Sequence, residues 1–150
     1  MRFTRDIEIG RSPEQVWEFL WDVERVARCL PGCREARTVV PHERYAAVVG
    51  ERVGPFTVKF PLEIQVLEVE EGRRLKAQAA GRDPAMGSSL RVMLELSLEP
   101  RGDACTVHLA SDVAVLGKLG TLGQGIIQRK ADQIMEQFAA AIRQALEADA

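Results

Sequence analysis

The chain has 150 residues, enough for one domain around one core. Its composition is 46% hydrophobic, 28% charged and only 5% aromatic, so a globular core here must rest on Val, Leu, Ile and Ala. A net charge of −2 excludes the basic surplus of a nucleic-acid binder, and no stretch approaches the roughly 20 apolar residues that cross a bilayer.

Residues 3–9 alternate, with Phe3, Ile7 and Ile9 on one side, which predicts a strand. The N-terminal segment lacks the apolar run of a signal peptide. The expected location is the cytoplasm, with peripheral contact at the inner face of the membrane as a variant. Ser12-Pro13-Glu14-Gln15 opens a helix, with Ser12 as cap, Pro13 at the first helical position and Gln15 completing a capping box. Val16, Trp17, Phe19, Leu20, Val23 and Val26 continue it, and Leu30-Pro31-Gly32 ends this helix pair. Trp17 and Trp21 are one turn apart and share a face.

From Arg34 the period changes to two. Strands are predicted over 34–40 and 44–53, flanking the Pro41-His42 turn, then over 56–70, 73–80, 88–99 and 104–115. Residues 81–87 read as a loop. In 56–70 the even positions from Phe56 to Val66 are apolar. Leu90, Val92, Leu94, Leu96 and Leu98 share one side of the next-to-last strand, and Cys105, Val107, Leu109, Ser111, Val113 and Val115 one side of the last. A glycine-rich corner runs from Gly117 to Gly125. A helix of about 22–25 residues follows, roughly 35 Å long, with Ile127, Ala131, Ile134, Phe138, Ile142 and Ala145 on its apolar face. The six strands are joined by short turns, so they predict an antiparallel meander. Its apolar face needs a cover, and only the terminal helix is long enough.

The pieces Ser12-Pro13 with Val16-Trp17, Val26-Ala27-Arg28-Cys29-Leu30-Pro31-Gly32, Val53-Gly54-Pro55, the Gly81/Asp83 loop and Gly117-Lys118-Leu119-Gly120-Thr121-Leu122-Gly123 together resemble the carbon monoxide dehydrogenase G-subunit family. That family lies within the START/Bet v 1-like polyketide-cyclase superfamily. The resemblance covers nearly the whole chain. It implies an α+β helix-grip fold over 1–150: a curved antiparallel sheet of about seven strands wrapped around a long C-terminal helix, with two short helices after the first strand. It also implies an internal cavity and a maturation, docking or quinone-delivery role beside a molybdenum hydroxylase of the carbon monoxide dehydrogenase type. Some relatives carry a further C-terminal segment resembling a membrane anchor, which is not expected in this chain.

The expected ligand is an apolar small molecule, a quinone or lipid, bound without catalysis. Its expected contacts are Val48 and Gly50, Val58 and Phe60, Ala77 and Ala79, Leu90 and Val92, Leu109 and Ser111, and Ile134. The cavity mouth is expected at Trp21, Leu30, Arg52, Leu116, Leu119 and Leu122, with the glycine corner as a hinge. Expected partners are therefore the apolar ligand, a molybdenum hydroxylase and, transiently, a membrane; nucleic acid is not among them. Two other classes stand beside this reading. One is a cyclase or hydrolase, which needs at least two polar groups converging inside. The other is an interaction module with an exposed apolar patch near Trp21, Leu30 or Leu119.

No catalytic set, metal site or cofactor motif is read from the residues. Cys29 and Cys33 are spaced C-x3-C without further ligands, and Cys105 and His42 are isolated. His108 is placed on the polar side of its strand, within reach of Asp112 or Glu95. Asp83, Glu51, Arg52 and Lys59 are the nearest candidates for acid–base chemistry.

Overall fold

The computed structural model describes residues 1–148. In chain order it contains β1 (Arg2–Ile9), α1 (Pro13–Leu20), α2 (Val23–Cys29), β2 (Cys33–Val40), β3 (Arg44–Val53), β4 (Phe56–Glu70), β5 (Arg74–Asp83), β6 (Ser88–Arg101), β7 (Ala104–Gly117), a 3-10 turn (Lys118–Leu122) and α3 (Gln124–Glu147). All seven strands join one antiparallel sheet in the order β1-β7-β6-β5-β4-β3-β2. Strands 2 to 7 form the expected meander, and β1 returns beside the last of them. Residues 81–83, expected in a loop, instead extend β5, because Arg82 and Asp83 pair with Ser89 and Ser88 across a tight turn.

Local chemistry sets the element ends. The Ser12 hydroxyl accepts from the Gln15 backbone N–H at 3.2 Å, and the Gln15 side chain accepts from the Ser12 N–H at 3.1 Å, the expected capping box. Asp22 caps α2 through the Arg25 N–H. Gly32 holds φ +76°, and a Cβ on it would stand 2.0 Å from the Gly50 carbonyl oxygen. That contact docks the Leu-Pro-Gly turn on β3, where the Gly50 N–H donates to the Gly32 carbonyl at 2.9 Å. At the other end of the sheet, Gly117 turns β7 into the 3-10 segment at φ +86°. There the Ser88 hydroxyl accepts from the Leu119 N–H at 2.8 Å.

The sheet is open, with β1 and β2 at its edges. Strand β2 is irregular: its register with β3 shifts twice, and Glu35 takes a positive φ of 54°. Strand β4 shifts register against β5 between Val66 and Glu68.

The buried apolar side chains gather in two separate clusters. The larger joins Ile7, Ile9, Val16, Trp17, Phe19, Leu96, Leu98, Cys105, Val107 and Leu109 to Ile142 and Leu146 near the end of α3. The smaller joins Val53, Val58, Phe60, Leu62 and Leu119 beside the start of α3. Trp17 is in the larger cluster and donates its indole N–H to Glu71 at 2.9 Å.

His108 lies on the outer face, as expected, with different partners. Its Nδ1 is 2.7 Å from Asp6 on β1, and its Nε2 is 3.5 Å from Glu99 on β6.

Replacing Gly32 by Ala should destabilise the fold by about 2 kcal/mol or more, since both the positive φ and the Gly50 contact resist a methyl group. A lower urea midpoint with an unchanged slope is the expected result. The hydrogen bond to Asp6 raises the His108 pKa; burial opposes it, and the Asp6 charge and the Glu99 contact add to the rise. A raised pKa stabilises the fold below the ordinary value of about 6.5, and that contribution is lost as pH climbs through the folded value. An NMR titration should therefore place His108 above 6.5, and Asp6→Asn should bring it down.

Candidate binding site beneath the long helix

Helix α3 is tied to the sheet at its margins. Arg5, on the inner side of β1, pairs with Asp132 and with Glu136, the latter at 3.3 Å. The Arg143 side chain donates to the Glu8 carbonyl at 2.8 Å. At the helix end, Arg11 donates to the carbonyls of Leu146 and Glu147 at 2.9 and 3.1 Å, where the helix leaves its own acceptors unused. Opposite, Lys130 reaches Glu51 on β3 at 2.7 Å. The backbone of α3 approaches β1 and β3 more than the four strands between them.

Between those margins part of the inner face lies outside both core clusters. Strand registers align Tyr45, Ile64, Ala79, Val92 and Val113 in one row across five strands. Ile64, Ala79, Val92 and Val113 keep part of their surface exposed, and none of them belongs to either core cluster. Ile134 of α3 behaves the same way. A cleft of about 230 Å³, lined by Met1, Val113, Ala114, Val115, Gly120, Gln124 and Ile127, opens where β7 runs past the start of β1 and shares Val113 with this row. A larger cleft of about 480 Å³ lies away from it, against α1 and α2, and includes Phe19, Trp21 and Leu146.

The expected contact residues divide accordingly. Ala79, Val92 and Ile134 are part-exposed and outside both clusters, and Ala77 and Ser111, both buried, occupy the neighbouring row beside Leu94. Val58 and Phe60 are sealed in the smaller cluster with Leu90 packed on it, and Leu109 is sealed in the larger. Val48, Gly50 and Arg52 must be corrected. Strand β3 directs its odd positions inward, since Tyr45, Ala47, Val49, Glu51 and Val53 lie opposite Ile64, Leu62, Phe60, Val58 and Phe56. The even positions, Val48, Gly50 and Arg52, therefore face outward.

The residues expected at a mouth do not converge. Leu119 is buried and Leu122 packs beside it, whereas Leu116 is 66% exposed on the outer side of β7. Trp21 and Leu30 belong to the α1–α2 region. The Trp21 ring stacks on His42 with centroids 4.1 Å apart and meets Trp17 edge-on at 5.9 Å. The cleft at the start of β1 is lined instead by Val113, Val115 and Ile127, which the mouth prediction omitted. Their pointer in the sequence was Val113 and Val115 continuing the inward parity of β7 past the start of β1.

Polar groups on this side are few. Asp83 is buried, but it accepts from the Lys59 N–H at 2.8 Å and the Met86 N–H at 3.2 Å, so it secures the β5–β6 turn. Ser111 is buried at the inner face. Burial pushes the thiols of Cys29, Cys33 and Cys105 up, which makes them poor nucleophiles at neutral pH. Among the described residues, no His, Cys, Asp or Glu side chains are grouped to hold a metal ion, and no helix is long and apolar enough to cross a membrane.

Solved structures share this architecture. A conserved protein from Geobacillus kaustophilus superposes with a TM-score of 0.87 at 18% identity, covering 99% of this chain and 96% of its own. A START superfamily protein from Mycobacterium smegmatis matches at 0.75 and 14% identity, covering 99% of both chains. The ZhuI aromatase/cyclase from Streptomyces sp. R1128 matches at 0.73 and 12% identity, over 98% of this chain and 93% of its own. At these identities the likeness shows the fold, which is the helix-grip arrangement of START-like proteins. No curated protein matches the sequence. The family of the carbon monoxide dehydrogenase G-subunit (CoxG) matches residues 6–147, and the chain therefore belongs to the CoxG family.

Proposed function

We propose that the protein binds one long apolar small molecule, a quinone or a lipid, beneath α3, and that it does so without catalysis, as an accessory factor of a molybdenum hydroxylase of the carbon monoxide dehydrogenase type. The carrying observation is the part-exposed apolar row Ile64, Ala79, Val92 and Val113 under Ile134, lying between two closed clusters. An apolar ligand gains about 25 cal/mol for each Å² it withdraws from water, so such a row favours a chain or ring over a polar metabolite. Family membership supports the accessory role. Against a cyclase or hydrolase stands the engagement of the inward polar groups: Asp83 is held by backbone donors, Arg5 by Asp132 and Glu136, and Glu51 and Lys130 by each other, while His108 is on the outer face. Leu116 and Ile126 are exposed beside the cleft at the start of β1 and suit brief contact with a membrane from which a lipophile is drawn.

Packing differences test the unfilled space directly. Leu146→Ala, in the closed cluster, should cost about 2–5 kcal/mol of stability. Ile134→Ala should cost roughly 1 kcal/mol or less, because no sealed cavity is created. Equal losses in urea titrations would mean that the helix is packed throughout. Native mass spectrometry of the purified protein should find a bound lipophile, and solvent extraction should release it. Ala79→Trp should lower that occupancy while leaving the circular dichroism spectrum unchanged. Capture of a molybdenum hydroxylase by wild type and Ala79→Trp alike, with no lipophile on either, would favour the interaction module instead.

A further inference from the structure

One charged pair interrupts the apolar inner face and remains reachable. Glu51 projects inward from β3, opposite Val58. Its Oε1 is 2.7 Å from Lys130 Nζ, and the two side chains keep 22% and 25% of their surface. Lys130 is four residues before Ile134, so the two share one helix face. The other inward charges are committed elsewhere. Arg5 is drawn to Asp132 and Glu136, whose carboxylates lie on the outer rim, and both Asp83 oxygens take backbone N–H donors. The Leu-Pro-Gly turn closes in beside the pair, because a Cβ on Gly32 would stand 3.1 Å from Glu51 Oε2.

The mutual contact leaves capacity on both sides. An ammonium has three donors and a carboxylate about four acceptor sites; one donor is used here and two acceptor sites, since Glu51 Oε1 also takes the Arg52 N–H at 3.4 Å. Lys130 is thus able to donate to a carbonyl or ether oxygen, and Glu51 to accept from a hydroxyl. An anionic head group drawn to Lys130 would meet the Glu51 charge at nearly the same range and gain little.

We infer that the Glu51–Lys130 pair is the recognition point for a neutral, oxygen-bearing head group on the apolar ligand, a ketone-type carbonyl or an alcohol, and that it selects against a carboxylate. This rests on the ligand-binding reading above. The ligand's head meets the pair on the face of α3 that carries Ile134 one turn on, and its body runs from there along α3 toward the row of Ile64, Ala79, Val92 and Val113.

The test uses displacement of the neutral fluorophore N-phenyl-1-naphthylamine from the full chain by 2-dodecanone and by laurate. Wild type should bind 2-dodecanone at least roughly tenfold more tightly than laurate. Glu51→Gln keeps the shape but frees the Lys130 charge, and should strengthen laurate roughly tenfold. Lys130→Met should weaken 2-dodecanone by a similar factor while the fluorophore still binds, with Lys130→Gln as the second variant if Met impairs folding. A purely apolar site would also prefer the ketone, so the change between variants decides. An unchanged ketone-to-laurate ratio in both positions, with the fluorophore still bound, overturns the recognition role alone. Failure of wild type to bind fluorophore and ketone overturns the ligand-binding reading itself.

Discussion

The long helix is tied to the sheet at its margins and packs on the larger cluster from Met135 onward. The larger cluster clamps its last turns through Ile142 and Leu146. Arg11 takes up its terminal carbonyls, while Arg5 and Lys130 hold its two flanks. Exposed ion pairs of this kind are each worth only about 0.2–1 kcal/mol. The ties therefore set the helix's position more than they stabilise it. A helix pressed onto the sheet along its whole length would bury the Ala79 row and gain hydrophobic free energy.

Much of this was legible in the sequence. Period-two runs gave six strands with ends correct within a few residues, and the Ser12–Gln15 box and the 3.6-residue period gave the helices. Turn residues sufficed for the meander because each turn is short. The failure at β3 has a definite cause. Between Tyr45 and Val53 both parities are apolar, with Ala46 and Val48 on one and Tyr45, Ala47 and Val49 on the other. Alternation there carries no sign, and a choice of one set moves every side chain to the other face. Tyr45 and Val53, the bulkiest members at the two ends, were the residues that identified the buried set.

The division between sealed and open positions was not legible at all. Phe60 and Ala79 are both apolar and both inward, yet one is locked against Val53 and Leu119 while the other stays part-exposed outside both clusters. That difference depends on where α3 crosses a curved sheet, which periodicity does not encode. The acid–base candidate Asp83 shows the same limit. A carboxylate in an apolar setting reads as chemistry, but two backbone amides already occupy it. Of the thiols, Cys29 and Cys105 lie in the larger cluster, and Cys33 is only partly buried.

A sheet that stays open to leave room under its helix keeps two rims that another chain could extend. On β1 the rim is partly guarded by Arg5 and the helix itself. On β2 the guard is irregularity of the ladder: two slips against β3, a left-handed Glu35, and the side chains of Arg34 and Arg37 pointing to water. A strand so broken presents no regular run of amides for a neighbour to match. The same unevenness that looks like a flaw in pairing is thus what lets an unclosed barrel remain free of fibril-like stacking.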